Sequence, residues 1–202
     1  MPNVFQKFGQ SLGDLPWRAV TTSASMGCQI FGSRHAHPLG ILTYHRVIDR
    51  IPGIALPEHN VTPDRLYKQL EGMQARGYEF WSLDQLLSSV NQPSELHDRI
   101  ALVTFDDGYE SVYLNAFPVL KKLGIPATVF VATQFLDGTG PFPFDDWGTT
   151  FRHQVPQSCY GPLTSDQCRE MLDSQLIAIG AHTHTHQDFR GHEEQFRLDL
   201  EK

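Results

Sequence analysis

Residues 100–109 read IALVTFDDGY, in which an apolar stretch runs directly into two neighbouring carboxylates, Asp106 and Asp107. IALVTF is apolar on both alternating faces, which is typical of a strand in a parallel sheet that is covered on both sides. Adjacent negative charges repel each other, and beside apolar surface they also lose hydration. The acidic pair therefore predicts a stabilising partner at the end of this strand.

Similar short apolar stretches recur along the chain and alternate with helix signals. Strands are also predicted at LGILTY (39–44), YEFWSL (78–83), ATVFVAT (127–133) and LIAIGA (176–181). Helices are predicted from Thr62-Pro63-Asp64 to Gly77, from Ser82 or Asp84 through LLSSV, over 109–123, over about 165–174 and from about 193 onwards. The alternation indicates an α/β fold with a parallel sheet or barrel, in which ligands gather at the carboxyl ends of the strands.

The bulk composition limits the function classes. The 202-residue chain is 40% hydrophobic and 19% charged, and it carries a formal net charge of −7 without a Lys/Arg cluster. This balance argues against a general nucleic-acid partner. The first residues lack a signal-peptide core, and no apolar run approaches the roughly 20 residues that span a bilayer. A cytoplasmic location without an integral membrane segment is therefore the default expectation.

Two further expectations concern the organisation of the chain. Residues 1–38 show no clear periodicity and are predicted to be an N-terminal extension, which leaves 39–202 as the folded domain. The three cysteines, Cys28, Cys159 and Cys168, show no CxxC spacing and do not suggest a disulfide framework. A single Cys159–Cys168 bridge stays open for an exported protein.

A second polar motif, HTHTH, follows the last predicted strand directly, and its histidines are His182, His184 and His186. A polar loop is the simplest interpretation of one such histidine, but two histidines four residues apart share one face of a turn and often bind a metal. With a carboxylate from a neighbouring strand end they make a set of three ligands, as in catalytic zinc sites. A cation there would stabilise one acid of the Asp106–Asp107 pair and leave the other free to accept a proton from an activated water.

The two motifs together resemble those of a known family. TFDDGY (104–109) and GAHTHTHQDF (180–189) resemble the first two signature motifs of the polysaccharide deacetylases, the NodB-homology domain of carbohydrate esterase family 4. ILTYHRV (41–47) and GYEFWSLDQLL (77–87) are similar to the opening of bacterial members. The resemblance implies a deformed (β/α) barrel that removes N-acetyl or, in some members, O-acetyl groups from polymeric sugars.

The resemblance also implies roles for individual residues. Asp106 matches the family's catalytic base, and the residues that match its metal ligands are Asp107, His182 and His186. Zinc is the default cation for this donor set, with cobalt, nickel, manganese and iron left open. The implied partner is a polysaccharide or oligosaccharide with acetylated amino sugars.

Other residues near the motifs match the family less closely. Thr183 matches a small hydroxyl residue that helps to shape this loop in the family, whereas His184 falls at a variable position. Tyr109 and His45 are expected to line the substrate pocket. For His45, the alternative of an ordinary strand-end residue stays open.

The later motifs of the family do not appear after His186. They are an Arg-x-Pro element, an Asp/Trp segment and a Leu-x-His that carries the general acid. The C-terminal part of the barrel is therefore expected to be missing from this chain, which should bind metal weakly and have little activity alone. The leading function is a metal-dependent hydrolase that removes acetyl groups from the amino sugars of a polysaccharide. The alternative is an inactive homologue that acts as a metal- or glycan-binding module.

Three other enzyme classes share parts of the pattern. An amidohydrolase carries an H-x-H pair, but near its first strand rather than after its fifth. A non-haem iron oxygenase uses the same ligand set in an all-β setting, which conflicts with the alternation of strands and helices. A phosphatase of the D-x-D-G type requires spaced acids, whereas Asp106 and Asp107 are contiguous.

Overall fold

The computed structural model describes residues 39–89 and 99–202, so the predicted extension over residues 1–38 lies outside the described part. The strands are β1 (Leu39–Tyr44), β2 (Arg46–Val47), β3 (Asn60–Val61), β4 (Glu79–Phe80), β5 (Ile100–Phe105), β6 (Ala127–Val131) and β7 (Ile177–Ala181). The α-helices are α1 (Pro63–Gln74), α2 (Leu83–Ser89), α3 (Phe117–Leu123), α4 (Asp146–Phe151), α5 (Ser165–Asp173) and α6 (Glu193–Leu200). A π-helical turn, Val112–Ala116, leads into α3, and 3₁₀ turns lie at Thr133–Phe135 and Gln157–Cys159.

The main sheet is parallel and is built around β5. β1 pairs with β5 along its whole length, from Leu39 opposite Ile100 to Tyr44 opposite Phe105. β4 pairs with the first two residues of β5, and β6 pairs with the last two. β7 pairs with all five residues of β6. β2 and β3 form a separate parallel pair. The predicted α/β class with a parallel sheet is confirmed, and the carboxyl ends of β1, β5, β6 and β7 lie along one edge.

The core explains why β5 is apolar on both faces. All six residues of β5 are buried. On one side they pack with Leu66 and Leu70 of α1 and with Leu120 of α3, each of which is fully buried. On the other, Ile100 and Leu102 form a smaller cluster with Trp81. Burying one such side chain contributes about 1.5–3 kcal/mol, so apolar packing holds β5 along its whole length.

The helix ends follow local signals that the sequence carries. Thr62 begins α1 because its hydroxyl accepts a hydrogen bond from the Arg65 amide at 3.3 Å. Gly124 ends α3 in the left-handed conformation, with φ of 65°. Thr164 begins α5 through a reciprocal pair of hydrogen bonds with Gln167. These boundaries agree with the predicted helices to within a few residues.

Several predicted elements differ from the structure in length. The strand expected over 78–83 is confined to Glu79–Phe80, because the Ser82 hydroxyl accepts from the Gln85 amide and thereby starts α2. The helix expected over 109–123 is confirmed from residue 110 onwards, although its Val112–Ala116 stretch is π-helical. Tyr109 itself makes an antiparallel bridge with Pro162 instead. The possible Cys159–Cys168 bridge is not formed, and both thiols are free. Across the described residues, helices are too short or too polar to cross a bilayer.

Candidate metal centre and catalytic cleft

The acidic turn, which comprises Asp106, Asp107 and Gly108, starts where β5 ends. The Asp106 amide donates to the Tyr44 carbonyl at 2.8 Å, so the ladder between β1 and β5 continues one residue further. The backbone then reverses, with φ of 71° at Asp107 and 85° at Gly108. Left-handed backbone is uncommon for an aspartate and natural for a glycine, and such conformations cluster at functional sites. The turn leaves Asp107 buried and Asp106 half-buried.

Gly108 is required in this turn for a second reason. A Cβ atom at this position would lie 3.0 Å from Cγ1 of Val131, which is the last residue of β6. The Leu163 amide also donates to the Gly108 carbonyl at 2.8 Å. The acidic turn is therefore packed tightly against the neighbouring strand end and fixed by hydrogen bonds on both sides.

The histidine loop, residues 182–186, starts in the same way at the end of β7. The His182 amide donates to the Val131 carbonyl at 2.9 Å, which aligns the loop with the end of β6. Thr183 and His186 both adopt left-handed backbone, with φ of 61° and 57°. The Thr183 hydroxyl accepts from the His186 amide at 2.9 Å and closes the loop. The loop thus returns His186 to the same side as His182.

The acidic turn and the histidine loop meet in one cluster of donor atoms. Oδ1 of Asp107 lies 3.6 Å from Nε2 of His182 and 3.1 Å from Nε2 of His186. One ligand atom from each of these three residues lies within 4.8 Å of the others. A carboxylate oxygen and two imidazole nitrogens are the donor set of a catalytic divalent metal that keeps a position open. The three residues therefore fit the cation that the sequence predicts.

His184 takes a different position from its two neighbours. Its Nδ1 atom lies 2.9 Å from the Thr133 hydroxyl, and the metal-type cluster of the described residues does not include it. This placement agrees with its variable position in the family motif.

Asp106 lies beside this cluster in a mixed electrostatic environment. Burial raises the pKa of its carboxyl group above the usual range, and the negative charge of Asp107 adds to this effect. Three nearby imidazoles lower the pKa but do not cancel the rise, and they belong to His182, His45 and His186. A carboxylate with a raised pKa is a stronger base while it is ionised, which suits proton abstraction.

A cleft of about 490 Å³ opens above the cluster. His45, Tyr109, Asp107 and His186 all lie on its wall, so the structure places both predicted pocket residues there. The His45 ring stacks on the His59 ring with centroids 5.0 Å apart. The Phe144 ring stacks on His186 at 3.8 Å and thereby covers one face of this histidine. The cleft is thus lined by acid, imidazole and aromatic groups around one centre.

A buried ion pair between Arg46 and Asp145 supports one wall of this cleft. Arg46 is 2% exposed and Asp145 is 7% exposed, and Nη2 of the arginine contacts the carboxylate. The guanidinium also lies 4.3 Å from the Tyr109 ring centroid and 4.9 Å from that of Trp147. Trp147 in turn donates to the Ala55 carbonyl at 2.6 Å. The pair therefore joins β2, Tyr109, the start of α4 and the loop around Ala55 into one wall.

Sequence reasoning missed this ion pair. Its members are 99 positions apart. Arg46 lies in ILTYHRV, but the resemblance assigned this residue no role, and Asp145 lies outside the stretches that carried the resemblance. Two signals were available: a charged residue directly after His45 in an otherwise apolar strand region, and the acids of FPFDDWG (142–148) in an aromatic loop. Burial raises the pKa of the Tyr109 phenol far above its usual value. The two charges of the pair have opposite effects on this pKa, since Arg46 lowers it and Asp145 raises it.

Comparison with known proteins gives consistent matches. The family model described as polysaccharide deacetylase matches residues 94–202. The poly-beta-1,6-N-acetyl-D-glucosamine N-deacetylase of Staphylococcus epidermidis is 28% identical over 153 residues, which are 71% of this chain and 47% of that protein. The enzyme of the same description from Escherichia coli K12 is 27% identical over 124 residues, which are 61% of this chain and 18% of that protein.

Solved structures give the same result for the fold. IcaB from Ammonifex degensii matches with a TM-score of 0.65 and 25% identity, over 82% of this chain and 66% of that chain. A de-N-acetylase from Aggregatibacter actinomycetemcomitans matches with a TM-score of 0.58 and 27% identity, over 72% of this chain and 55% of that chain. The chain thus spans about half the length of the Staphylococcus relative and part of each matched structure.

Proposed function

Because this chain belongs to the polysaccharide deacetylase family, we propose that it carries the metal-binding and proton-accepting residues of an N-deacetylase domain. The domain would occupy residues 39–202 and would correspond to only part of the family barrel. The observation that carries the proposal is the cluster of Asp107, His182 and His186, with Asp106 close enough for their charges to act on its carboxyl group. Asp107 and His186 of this cluster line the cleft. The reaction would be hydrolysis of an N-acetyl group, with acetate and a free amine as products.

Asp107, His182 and His186 are the residues that would hold the cation. A divalent cation, with zinc as the default, would supply Lewis-acid activation of water and of the acetyl carbonyl group. Asp107 is 6% exposed, so its charge is costly to bury without a positive partner. A bound cation would stabilise the Asp107 carboxylate and thereby explain how two adjacent acids can lie at the end of a buried strand.

Asp106 is the proposed general base. It is half-buried beside the cluster, and its pKa is raised mainly by burial, so its ionised form accepts a proton readily. It would take the proton from the water that adds to the acetyl carbon. Positioned acid–base groups of this kind contribute about 10²–10⁴-fold to rate.

His45 is the proposed proton donor to the leaving amine. It follows β1 directly, lies on the cleft wall, and is close enough to Asp106 to lower the pKa of that carboxyl group. An imidazole is the side chain best suited to donate a proton near neutral pH.

The surroundings of the cleft favour a polymeric substrate. A second hollow of about 350 Å³ shares His45 and His59 with the cleft and also contains Arg65 and Gln69. A third, of about 320 Å³, shares Phe144 and His186 with the cleft. The cleft therefore adjoins two further concave surfaces, as expected for an enzyme that binds several sugar units. By likeness to the relatives named above, we propose a polymer of β-1,6-linked N-acetylglucosamine as the substrate class.

Acetate release tests this proposal. The full chain, supplied with zinc and present in excess over β-1,6-linked N-acetylglucosamine oligomers, should release acetate slowly. Asp106→Asn should reduce the rate by about 100-fold or more, because the amide cannot accept the proton. Asp188→Asn is the control, since Asp188 is exposed and pairs locally with Arg190. Equal rates for wild type and Asp106→Asn would contradict the proposed base.

A further inference from the structure

Helix α6 is attached to the domain in an unusual way. Asp199 is its one buried residue, at 5% exposure, whereas its apolar residues Phe196, Leu198 and Leu200 are 39%, 46% and 57% exposed. An amphipathic helix ordinarily buries its apolar side and exposes its charges. A buried carboxylate costs free energy unless donors surround it, so Asp199 must have specific partners.

Those partners are all in the histidine loop. Oδ2 of Asp199 accepts from the His184 amide at 2.6 Å. Oδ1 accepts from the Thr185 amide at 3.1 Å and from the Thr185 hydroxyl at 2.6 Å. Burial alone would raise the pKa of Asp199, but these hydrogen bonds outweigh burial and hold the pKa below its usual range. The side chain is therefore a charged acceptor that binds both residues at once.

The position of these two residues gives the contact its significance. His184 and Thr185 lie between His182 and His186 in sequence. The hydrogen bonds of Asp199 therefore fix the backbone segment that connects the two imidazole-bearing residues. The loop also contains left-handed backbone at Thr183 and at His186. Such conformations persist only when surrounding contacts impose them. Inside the loop, the Thr183 hydroxyl accepts a hydrogen bond from the His186 amide. From outside, the Gln134 amide donates to the His184 carbonyl at 3.0 Å, and Asp199 accepts from the amides of His184 and Thr185.

We propose that Asp199 is a positioning residue that holds the histidine loop in the arrangement required for cation binding. It acts through the amides of His184 and Thr185 and makes no contribution as a ligand. The inference rests on the proposed function, because it assumes that Asp107, His182 and His186 bind a cation. It adds a requirement from α6 that the family motifs in this sequence do not contain.

Cobalt affinity tests the proposal without any activity measurement. Co²⁺ is titrated into the full chain, and its visible absorption reports both the dissociation constant and the ligand geometry. Asp199→Asn should weaken Co²⁺ binding by about 10- to 100-fold, the usual effect of removing a group that orients a metal ligand. In the asparagine variant an NH₂ group replaces one of the two carboxylate oxygens. This group is a donor and would face the backbone N–H of His184 or Thr185, so one hydrogen bond would be lost.

Glu194→Gln is the matched control for charge. Glu194 lies on the same helix, is exposed, and pairs with Arg197, so the variant removes the same charge without touching the loop. Its Co²⁺ affinity and spectrum should equal those of the wild type. A loss in Glu194→Gln as large as that in Asp199→Asn would assign the effect to net charge and overturn the positioning role.

Thr185→Val provides a second, milder variant that keeps the carboxylate. It removes the hydroxyl contact at 2.6 Å and leaves both amide contacts, so about a fivefold loss of affinity is expected. If Asp199→Asn fails to fold, this variant decides the question, because unchanged affinity in Thr185→Val would contradict the proposal. Asp199→Asn with wild-type affinity would contradict it as well. Absence of Co²⁺ binding in the wild type would instead refute the proposed metal site itself.

Discussion

The acidic turn and the histidine loop supply the same candidate metal centre, but they are held in different ways. The acidic turn continues β5, whose six residues are all buried, and Gly108 packs against Val131. The histidine loop follows β7, whose last residue, Ala181, is exposed, and it is fastened by hydrogen bonds to Asp199. One half of the site is thus fixed by the core, and the other by polar contacts at its margin.

Because the two regions are held by different contacts, substitutions in them should affect different properties of the protein. Changes near the acidic turn should alter the free energy of unfolding, because apolar packing dominates there. Changes near the histidine loop should alter metal affinity more than stability, because few buried apolar groups hold it.

The largest effect is expected at the strand that carries the acidic turn. Phe105 is 0% exposed and precedes Asp106 directly. Phe105→Ala should lower the free energy of unfolding by about 3–5 kcal/mol, because it removes a large core side chain and leaves a cavity. Urea unfolding of the metal-free protein measures the change. A loss below about 1 kcal/mol would show that β5 is not the centre of the core.

Metal binding should have the next largest effect. Zinc at 100 times its dissociation constant should raise the free energy of unfolding by about 2.7 kcal/mol, because the three ligands meet only in the folded chain. A chelator should reverse the gain, as followed by thermal unfolding. The control is Asp107→Ala, in which the midpoint should not respond to zinc. A rise of equal size in Asp107→Ala would mean that zinc binds elsewhere.

A smaller effect is expected within the acidic turn itself. Gly108→Ala should cost about 1–2 kcal/mol for left-handed backbone, with a further loss from the contact with Val131. Gly124→Ala is the matched control, since Gly124 is also left-handed but has no atom within 4 Å of the added Cβ. The two variants are compared by urea unfolding. Equal losses would mean that the close approach to Val131 does not matter.

The smallest effect is expected on α6. Leu198 is 46% exposed, so Leu198→Ala should change the free energy of unfolding by less than about 0.5 kcal/mol. Chemical unfolding is again the measurement. A loss comparable with that of Phe105→Ala would show that Leu198 is part of a packed core, and the contrast between the two regions would fail.

The local features of both regions could be predicted from the sequence. The pattern of IALVTF identified a buried parallel strand, and the placement of the acidic pair and of HTHTH after two strands predicted that the two motifs meet at one edge. The family resemblance then selected Asp107, His182 and His186, whose ligand atoms the structure brings together. Periodicity and capping residues are local signals, so they survive in a single sequence. For the same reason, Thr62 and Gly124 marked helix ends correctly.

The supporting contacts could not be predicted because they join distant positions. Arg46 pairs with Asp145 across 99 positions, and the pair of β2 and β3 consists of only two residues in each strand. Asp199 reads as an ordinary charged residue on a polar helix, and its burial follows from the fold alone. These residues shape the site without belonging to the motifs that reveal it.

Zinc content is the most direct test of the central claim that Asp107, His182 and His186 form a metal site. Wild type, Asp107→Ala, His182→Ala and the control His184→Ala are dialysed against the same zinc buffer and analysed by mass spectrometry of the metal. Wild type and His184→Ala should retain about one zinc ion per chain, because His184 lies outside the cluster. Asp107→Ala and His182→Ala should lose most of it, and zinc content equal to the wild type in both would contradict the account.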